Sequence, residues 1–158
     1  MAIRVLRAVF VGAAVSWAAA LFAATWIASQ PHLARAVYLA SAGVYVFASA
    51  LCHQRPERSF QLWGSQMPVC ARCAGIYLGA AVAVLWSAAR GLQPSAGRSP
   101  KGLALQAIIV GSLPSAATLV YEWTTGIVPS NWTRAAAGFP LGLAVAWVVR
   151  NAIRPEVN

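Results

Sequence analysis

The sequence predicts an all-α polytopic bundle of about five membrane-spanning helices, and three observations carry the prediction. The chain is 59% hydrophobic and only 9% charged, whereas a soluble domain carries roughly 25% charged residues. Its apolar residues gather in runs close to the roughly 20 residues a helix needs to cross a bilayer. Its polar residues gather in short segments between those runs. All 158 residues are read as a single integral membrane domain.

The first run, about Ile3 to Ala28, opens with Arg4 and Arg7 and carries Trp17 and Trp26. Trp26 fits the interfacial aromatic belt. The run is too long for a signal-peptide core and lacks a clear small-residue cleavage site, so it reads as a retained helix. Gln30-Pro31-His32 interrupts it, since proline cannot continue the helical hydrogen-bond ladder. A second helix is expected over about Leu33 to Leu51, then a polar segment from Cys52 to Arg72. A third helix covers about Cys73 to Arg90, and Gly91 to Lys101 reads as a solvated loop from its Gly, Pro and Ser content. The fourth, about Gly102 to Val120, contains Pro114. A second polar segment, Tyr121 to Asn131, carries Glu122 and Pro129. The fifth helix, about Trp132 to Arg150, contains Pro140, and the tail from Asn151 to Asn158 is polar.

Gly75 and Gly79 share one helix at a spacing of four, as do Gly138 and Gly142. Such spacing lets helix backbones approach closely in lipid, either within one chain or between two chains of a homo-oligomer. The net charge of +9 sits at segment ends and in loops, where it sets topology and meets anionic headgroups of the lipid bilayer. No basic patch interleaved with polar surface is left for nucleic acid, so that partner class is excluded. Five spans would put the N-terminus on the same side as both polar segments. Arg4 and Arg7 argue for that side being cytoplasmic; Arg35, Arg90, Arg98, Lys101, Arg150 and Arg154 argue for the other. The larger set wins, which places both polar segments on the outer face.

Chemistry concentrates in the first polar segment. It holds all three cysteines, Cys52, Cys70 and Cys73, and one of the two histidines, His53. Cys70 and Cys73 form a Cys-x-x-Cys pair, whose spacing lets two thiolates face one centre. That geometry serves a tetrahedral metal site or thiol–disulfide exchange. Cys52 and His53 would complete a Cys₃His set for zinc, with iron as an alternative ion. Adjacent helical residues diverge by about 100°, so both reach one metal only where the second helix has ended, and Pro56 favours such an ending. If His53 points away, water, Glu122 or another carboxylate supplies the fourth ligand. The bland alternative is that the cysteines are small buried residues in a helix interface.

Arg55, Arg58 and Arg72 flank the cysteines, and Arg134 follows Asn131 at the start of the fifth helix. Charges at membrane depth are costly and face an interior or a water-filled cavity. Guanidinium groups grip phosphate and carboxylate in a two-pronged geometry. Arg55, Arg58, Arg72, Asn131 and Arg134 are therefore candidate contacts for an anionic or lipid-linked substrate, against the plainer reading that the arginines touch bulk phospholipid. Glu122, one of three acidic residues, is the candidate catalytic group; it can also pair with an arginine, close the metal site, or lie at the surface. Glu57 and His32 read as solvated or interfacial, Tyr45 and Tyr77 as packing residues. Asn131-Trp132-Thr133 matches a glycosylation sequon, a pattern frequent by chance.

The strings Cys52-His53-Gln54-Arg55-Pro56-Glu57-Arg58-Ser59-Phe60 and Pro68-Val69-Cys70-Ala71-Arg72-Cys73-Ala74-Gly75-Ile76-Tyr77-Leu78-Gly79 resemble the signature of domain of unknown function 2085, a prokaryotic family of small predicted membrane proteins. The resemblance covers about residues 45 to 142. It implies a cytoplasmic-membrane location and a further set of matching positions at Glu122, Asn131, Arg134 and Gly138, with Glu122 standing where an aspartate is expected. It also implies that the cysteine segment and the Glu122–Arg134 segment form one site, and it supplies no activity.

Together these readings favour a metal-dependent membrane protein, with hydrolysis or group transfer on an anionic or lipid-linked substrate as its chemistry. A membrane thiol–disulfide oxidoreductase is the first alternative, with Arg72 favouring a thiolate. A binding or transport module with a structural metal is the second.

Overall fold

A computed structural model describes residues 2–90 and 101–153. The loop at 91–100 with Arg98, and the tail at 154–158 with Arg154, lie outside the described residues. Five helices form: α1 (Ala2–Ala28), α2 (Arg35–Ser49), α3 (Ala71–Ala89), α4 (Lys101–Thr125) and α5 (Asn131–Ala152). Four of them, all but α2, are long and apolar enough to cross a membrane. Their flanks leave large apolar side chains exposed, among them Val9 and Val5 on α1, Leu105, Val110 and Leu113 on α4. A surface of that kind is stable against lipid, not water.

α2 is the short one. Its 15 residues reach about 22 Å at about 1.5 Å per residue, short of the roughly 30 Å hydrocarbon core. It packs antiparallel on the C-terminal half of α1: the Ser41 hydroxyl donates to the Ala24 carbonyl at 3.0 Å, and the Trp17 and Phe47 rings meet edge to face.

The direction of α1 corrects the expected topology. Trp17 also meets Tyr77 of α3, and Arg7 Nε donates to the Ile153 carbonyl, just past α5. α1 therefore runs antiparallel to α3 and α5. Its N-terminus lies at the end of the bundle opposite both polar segments, because α2 turns back beside α1 without adding a crossing.

α3 and α5 run parallel with their glycines interleaved. A Cβ on Gly75 would lie 2.0 Å from the Ala135 carbonyl oxygen, and one on Gly79 2.2 Å from that of Phe139. Reciprocally, a Cβ on Gly138 would lie 2.3 Å from the Arg72 oxygen, and one on Gly142 2.0 Å from that of Ile76. Both small-residue pairs are thus consumed inside one chain, and the seam they form is the tightest contact among the described helices. α4 packs antiparallel to α5, with the Ser115 hydroxyl donating to the Ala137 carbonyl at 2.9 Å.

Two features differ from the expected elements: the polar segment 52–72 contains a small sheet, and α4 is longer than its apolar run. Ser59–Leu62 (β1) and Ser65–Cys70 (β2) form an antiparallel hairpin. Its two-residue turn, Trp63-Gly64, has φ of 52° and 80°, the paired positive values that match the strand twist of a type I′ turn. The register sets Ser59 opposite Cys70 and Gln61 opposite Gln66. Phe60 therefore faces three residues, Met67 to Val69, and Pro68 sits in that bulge, where its missing N–H costs no ladder bond. Helical structure also extends further than expected in α4, to Thr125, so Glu122 lies on a helix and not in a loop. Its last turn stops at Gly126, whose φ is 69°, as at many helix C-termini.

Leu21, Ala48, Met67, Val69 and Ala74 form an apolar core joining α1, α2, β2 and α3. Cys52 and Cys73 pack against its edge. The hairpin is therefore clamped onto the end of the bundle.

Candidate functional site

Three chain segments deliver the cysteines to one point. The Cys52 N–H still donates to the Ala48 carbonyl at 2.9 Å, so Cys52 closes the last turn of α2. Cys70 ends β2 and is the N-cap of α3, and Cys73 lies in that helix's first turn. The three Sγ atoms lie within 4.8 Å of one another, all half-buried and free of disulfide. The Cys70 N–H donates to Cys52 Sγ at 3.2 Å, locking the two segments together. A donor set of three converging soft sulfurs can hold a metal ion.

His53 is not part of that group. Cys52 turns its sulfur towards Cys70, and the next residue departs from it: His53 is exposed, and Gln54 takes a φ of 48°. It stays at the rim, lining the same cavity. Gln54 makes the turn rigid. Its amide donates to the Tyr45 and Pro68 carbonyls, both at 2.8 Å, while Gln66 donates to the Gln54 carbonyl at 2.6 Å. Tyr45 in turn donates to the Gln66 carbonyl. This network, which holds Cys52 against Cys70, went unrecognised in the sequence; its only signal was Gln54 and Gln66 flanking the polar segment 55–65 in so apolar a chain.

A hydrogen bond from the Cys73 thiol pushes the Cys70 thiol down to about 5. The backbone N–H groups of Cys73 and Arg72 and the Cys52 thiol add to it, against the upward pull of burial. The start of α3 contributes the same sign, since a helix N-terminus favours an anion. A depressed value means thiolate at neutral pH, and its loss only as pH falls through about 5. Alkylation of Cys70 in metal-free protein, followed by peptide mass spectrometry, is expected to stay near its full rate from pH 8 to 6 and to drop towards pH 4; a midpoint near the ordinary thiol value of about 8.5 would contradict this.

The arginines meet across the helix ends. Glu122 on α4 is buried at 7% exposure and accepts from two guanidiniums: Arg58 Nη2 to Oε1 at 2.6 Å and Arg134 Nη2 to Oε2 at 2.8 Å. Both carboxylate oxygens are thereby engaged, and Glu122 lies outside the sulfur group. Arg72 Nη2 donates to Thr118 Oγ1 at 3.0 Å. Asn131 Nδ2 donates to the Ser59 carbonyl at 2.9 Å, tying α5 to the hairpin; the sequon asparagine is an internal strut. Thr118 and Ser59 are partners the sequence left unmarked. Glu57 and His32 are exposed as expected.

A cavity of about 340 Å³ separates the two clusters. Its lining includes Cys52, Cys70 and Cys73 together with Arg55, Arg58, Arg72 and Arg134, and also Leu51, His53 and Gln54. Around it, donors remain over. Arg58 Nε, Arg72 Nε, and Nε and Nη1 of Arg134 are buried with no hydrogen-bond partner among the described residues.

Fold and site together define a polytopic membrane protein with a three-cysteine cluster beside an arginine-lined cavity at one end of its bundle. The pattern of the predicted membrane protein family DUF2085 matches residues 52–148, from the first cysteine to the body of α5. The chain belongs to that family. Two archaeal proteins share shorter stretches with it. An uncharacterized protein of Methanocaldococcus jannaschii, MJ1492, is 50% identical over 42 residues, covering 27% of this chain and 27% of its own. An uncharacterized protein of Methanothermobacter thermautotrophicus is 60% identical over 30 residues, covering 19% of this chain and 27% of its own. The chain thus spans about a quarter of the length of either relative, 27% in each case. No solved structure matches the chain.

Proposed function

We propose that this membrane protein carries a metal centre in which Cys52, Cys70 and Cys73 hold zinc, or iron in its place, beside a cavity that takes an anionic or lipid-linked ligand. The observation that carries the reading is the meeting of three sulfurs and four arginines on one cavity. Sulfurs of a tetrahedral zinc site with bonds of about 2.3 Å lie about 3.8 Å apart, so a group within 4.8 Å closes on the ion by a small contraction. Three protein ligands leave the fourth position open, the pattern of catalytic and not of closed structural zinc. The reaction class that fits is metal-assisted hydrolysis or group transfer. Glu122 takes a positioning role in this scheme, since both its oxygens hold arginines.

Elemental analysis of detergent-purified protein tests the centre. About one equivalent of zinc or iron is expected in the wild type and none in Cys70→Ser/Cys73→Ser. Chelation separates the roles: a catalytic metal leaves a folded apoprotein that reloads, whereas a structural one takes several kcal/mol of folding energy with it and the apoprotein unfolds.

A second reading is favoured by the Cys-x-x-Cys pair standing at the N-terminus of α3 with a third thiol adjacent. In a thiol–disulfide oxidoreductase, Cys70 attacks a substrate disulfide as thiolate, forming a mixed disulfide and releasing one substrate thiolate. Cys73 or Cys52 then attacks the Cys70 sulfur, leaving an internal disulfide and the second substrate thiolate. Absence of metal together with a disulfide trapped by thiol labelling selects this reading.

The site is further proposed to face outward. Arg4, Arg7, Arg90 and Arg150 stand at the bundle end opposite the cavity, where α4 also starts at Lys101. With α2 turning back, Arg4 and Arg7 join Arg90 and Arg150 at one end while Arg35 moves to the other, and the end with the larger topogenic set is cytoplasmic by the positive-inside rule. A C-terminal green fluorescent protein fusion is expected to fluoresce and an alkaline phosphatase fusion to be inactive; the reverse pair of results would turn the protein over.

A further inference from the structure

The chemistry of the ligand is legible in the donors left over once the Glu122 network is complete. Arg134 is 2% exposed and lines the cavity. It gives one nitrogen to Glu122, and its Nε and Nη1 have no partner among the described residues. Burying such donors unpaired is costly. The same holds for Nε of Arg58 and of Arg72, each of which spends a different nitrogen on Glu122 or Thr118. Three arginines, from the turn that precedes β1, from α3 and from α5, thus line one cavity and hold four orphaned buried donors behind its surface.

We infer that the cavity binds the terminal phosphate of a phosphate monoester or diphosphate, a tetrahedral dianion shared by Arg58, Arg72 and Arg134.

Charge separates phosphate from carboxylate. Four guanidiniums line the cavity, counting exposed Arg55. Less one charge for Glu122 and one for zinc on three thiolates, two positive charges remain. A phosphate monoester carries about −1.5 to −2 at pH 7; a carboxylate brings only one charge. Geometry agrees, because three terminal oxygens spread in three dimensions suit donors arriving from three directions better than the coplanar lone pairs of a carboxylate do. Size leaves room for what the phosphate is attached to: about 340 Å³ equals roughly eleven waters at about 30 Å³ each. This inference deepens the metal-centre reading and rests on it only for the charge of the sulfur cluster.

The test is binding of inorganic phosphate by calorimetry, and of phosphatidic acid against phosphatidylcholine in nanodiscs, with metal content measured on the same samples. The wild type is expected to bind phosphate or phosphatidic acid in preference to citrate and phosphatidylcholine. Phosphatidic acid bound without competition from inorganic phosphate assigns a lipid source; competition between the two assigns a site for the phosphate group from either source. Arg72→Gln, which among the described residues gives up a side-chain hydrogen bond to Thr118, is expected to weaken binding about tenfold to a hundredfold, as for loss of a charge-assisted contact, and Arg72→Lys to recover part of it. Because Arg134→Gln also disturbs Glu122, exposed Arg55→Gln serves as the second variant and is expected to weaken binding severalfold. Folded wild type that binds neither probe, or binding unchanged in Arg72→Gln, overturns the inference. Metal present without phosphate binding overturns it alone; phosphate binding without metal leaves it standing and removes the metal centre.

Discussion

Replacing Gly142 by alanine is expected to separate α3 from α5 and to lower the folded yield sharply. The added Cβ would lie 2.0 Å from the Ile76 carbonyl oxygen and 2.9 Å from the Ala80 nitrogen. Both are backbone atoms of a helix, so no side chain can swing aside; one whole helix must move. Overpacking a well-packed site costs about 1–3 kcal/mol, and contact with rigid backbone places this case at or above that range. Gly75→Ala, 2.0 Å from the Ala135 oxygen, is expected to match it. Gly43→Ala on α2 is the control: its Cβ would meet nothing within 4 Å, and alanine favours a helix by up to about 1 kcal/mol over glycine. Thermal unfolding in detergent, read by size-exclusion profile, checks all three. Equal melting temperatures for Gly142→Ala and Gly43→Ala would show that the seam is looser than described. The effect should reach the site as well, since the Gly138–Arg72 contact of the same seam fixes Arg72 near Arg134.

Glu122→Gln is expected to be the most damaging change outside that seam. The carboxylate is buried between Arg58 and nearly inaccessible Arg134, which is 3% exposed at its side chain. Glutamine keeps the shape but presents an NH₂ to one guanidinium, donor against donor, and removes the counter-charge. Breaking a buried ion pair by removing one partner costs about 3–5 kcal/mol, because the remaining charge is left uncompensated. Arg58 is about a third exposed, so its share is screened and the loss falls mainly on Arg134. The double variant Glu122→Gln/Arg134→Gln should therefore lose less than the two single variants added together. Denaturant unfolding of the four proteins measures the coupling. A single Glu122→Gln within about 0.5 kcal/mol of wild type, the range of a plain surface substitution, would mean that the network carries no folding energy.

How much of this was legible beforehand differs by element. Apolar run length located all five helices, because spanning lipid forces a long uninterrupted stretch. It also overstated α2, where 15 helical residues were flanked by apolar Leu33 and Leu51 that extend the run without extending the helix. The hairpin escaped notice because its strands are short and its turn is Trp63-Gly64, whose first residue is an uncommon choice for a left-handed position. Cys-x-x-Cys spacing and the upstream Cys52 pointed to a cluster, and local chain geometry excluded His53 from it: the residue after a sulfur that turns inward has to leave in another direction.

The sequence by itself determined that the chain belongs in a bilayer, where its helices lie, and which few residues are too polar for that setting to be incidental. Composition and run length suffice for that, since they are properties of each segment alone. Tertiary structure alone decided the rest: that α1 runs antiparallel to α3, that the glycine pairs are spent within one chain, that Glu122 holds two arginines, and that four guanidinium donors remain over. Each is a relation between segments distant in the chain, such as Arg58 with Glu122 or Arg7 with Ile153. No local signal encodes such partners; they are fixed only when the helices pack and every buried charge must find one.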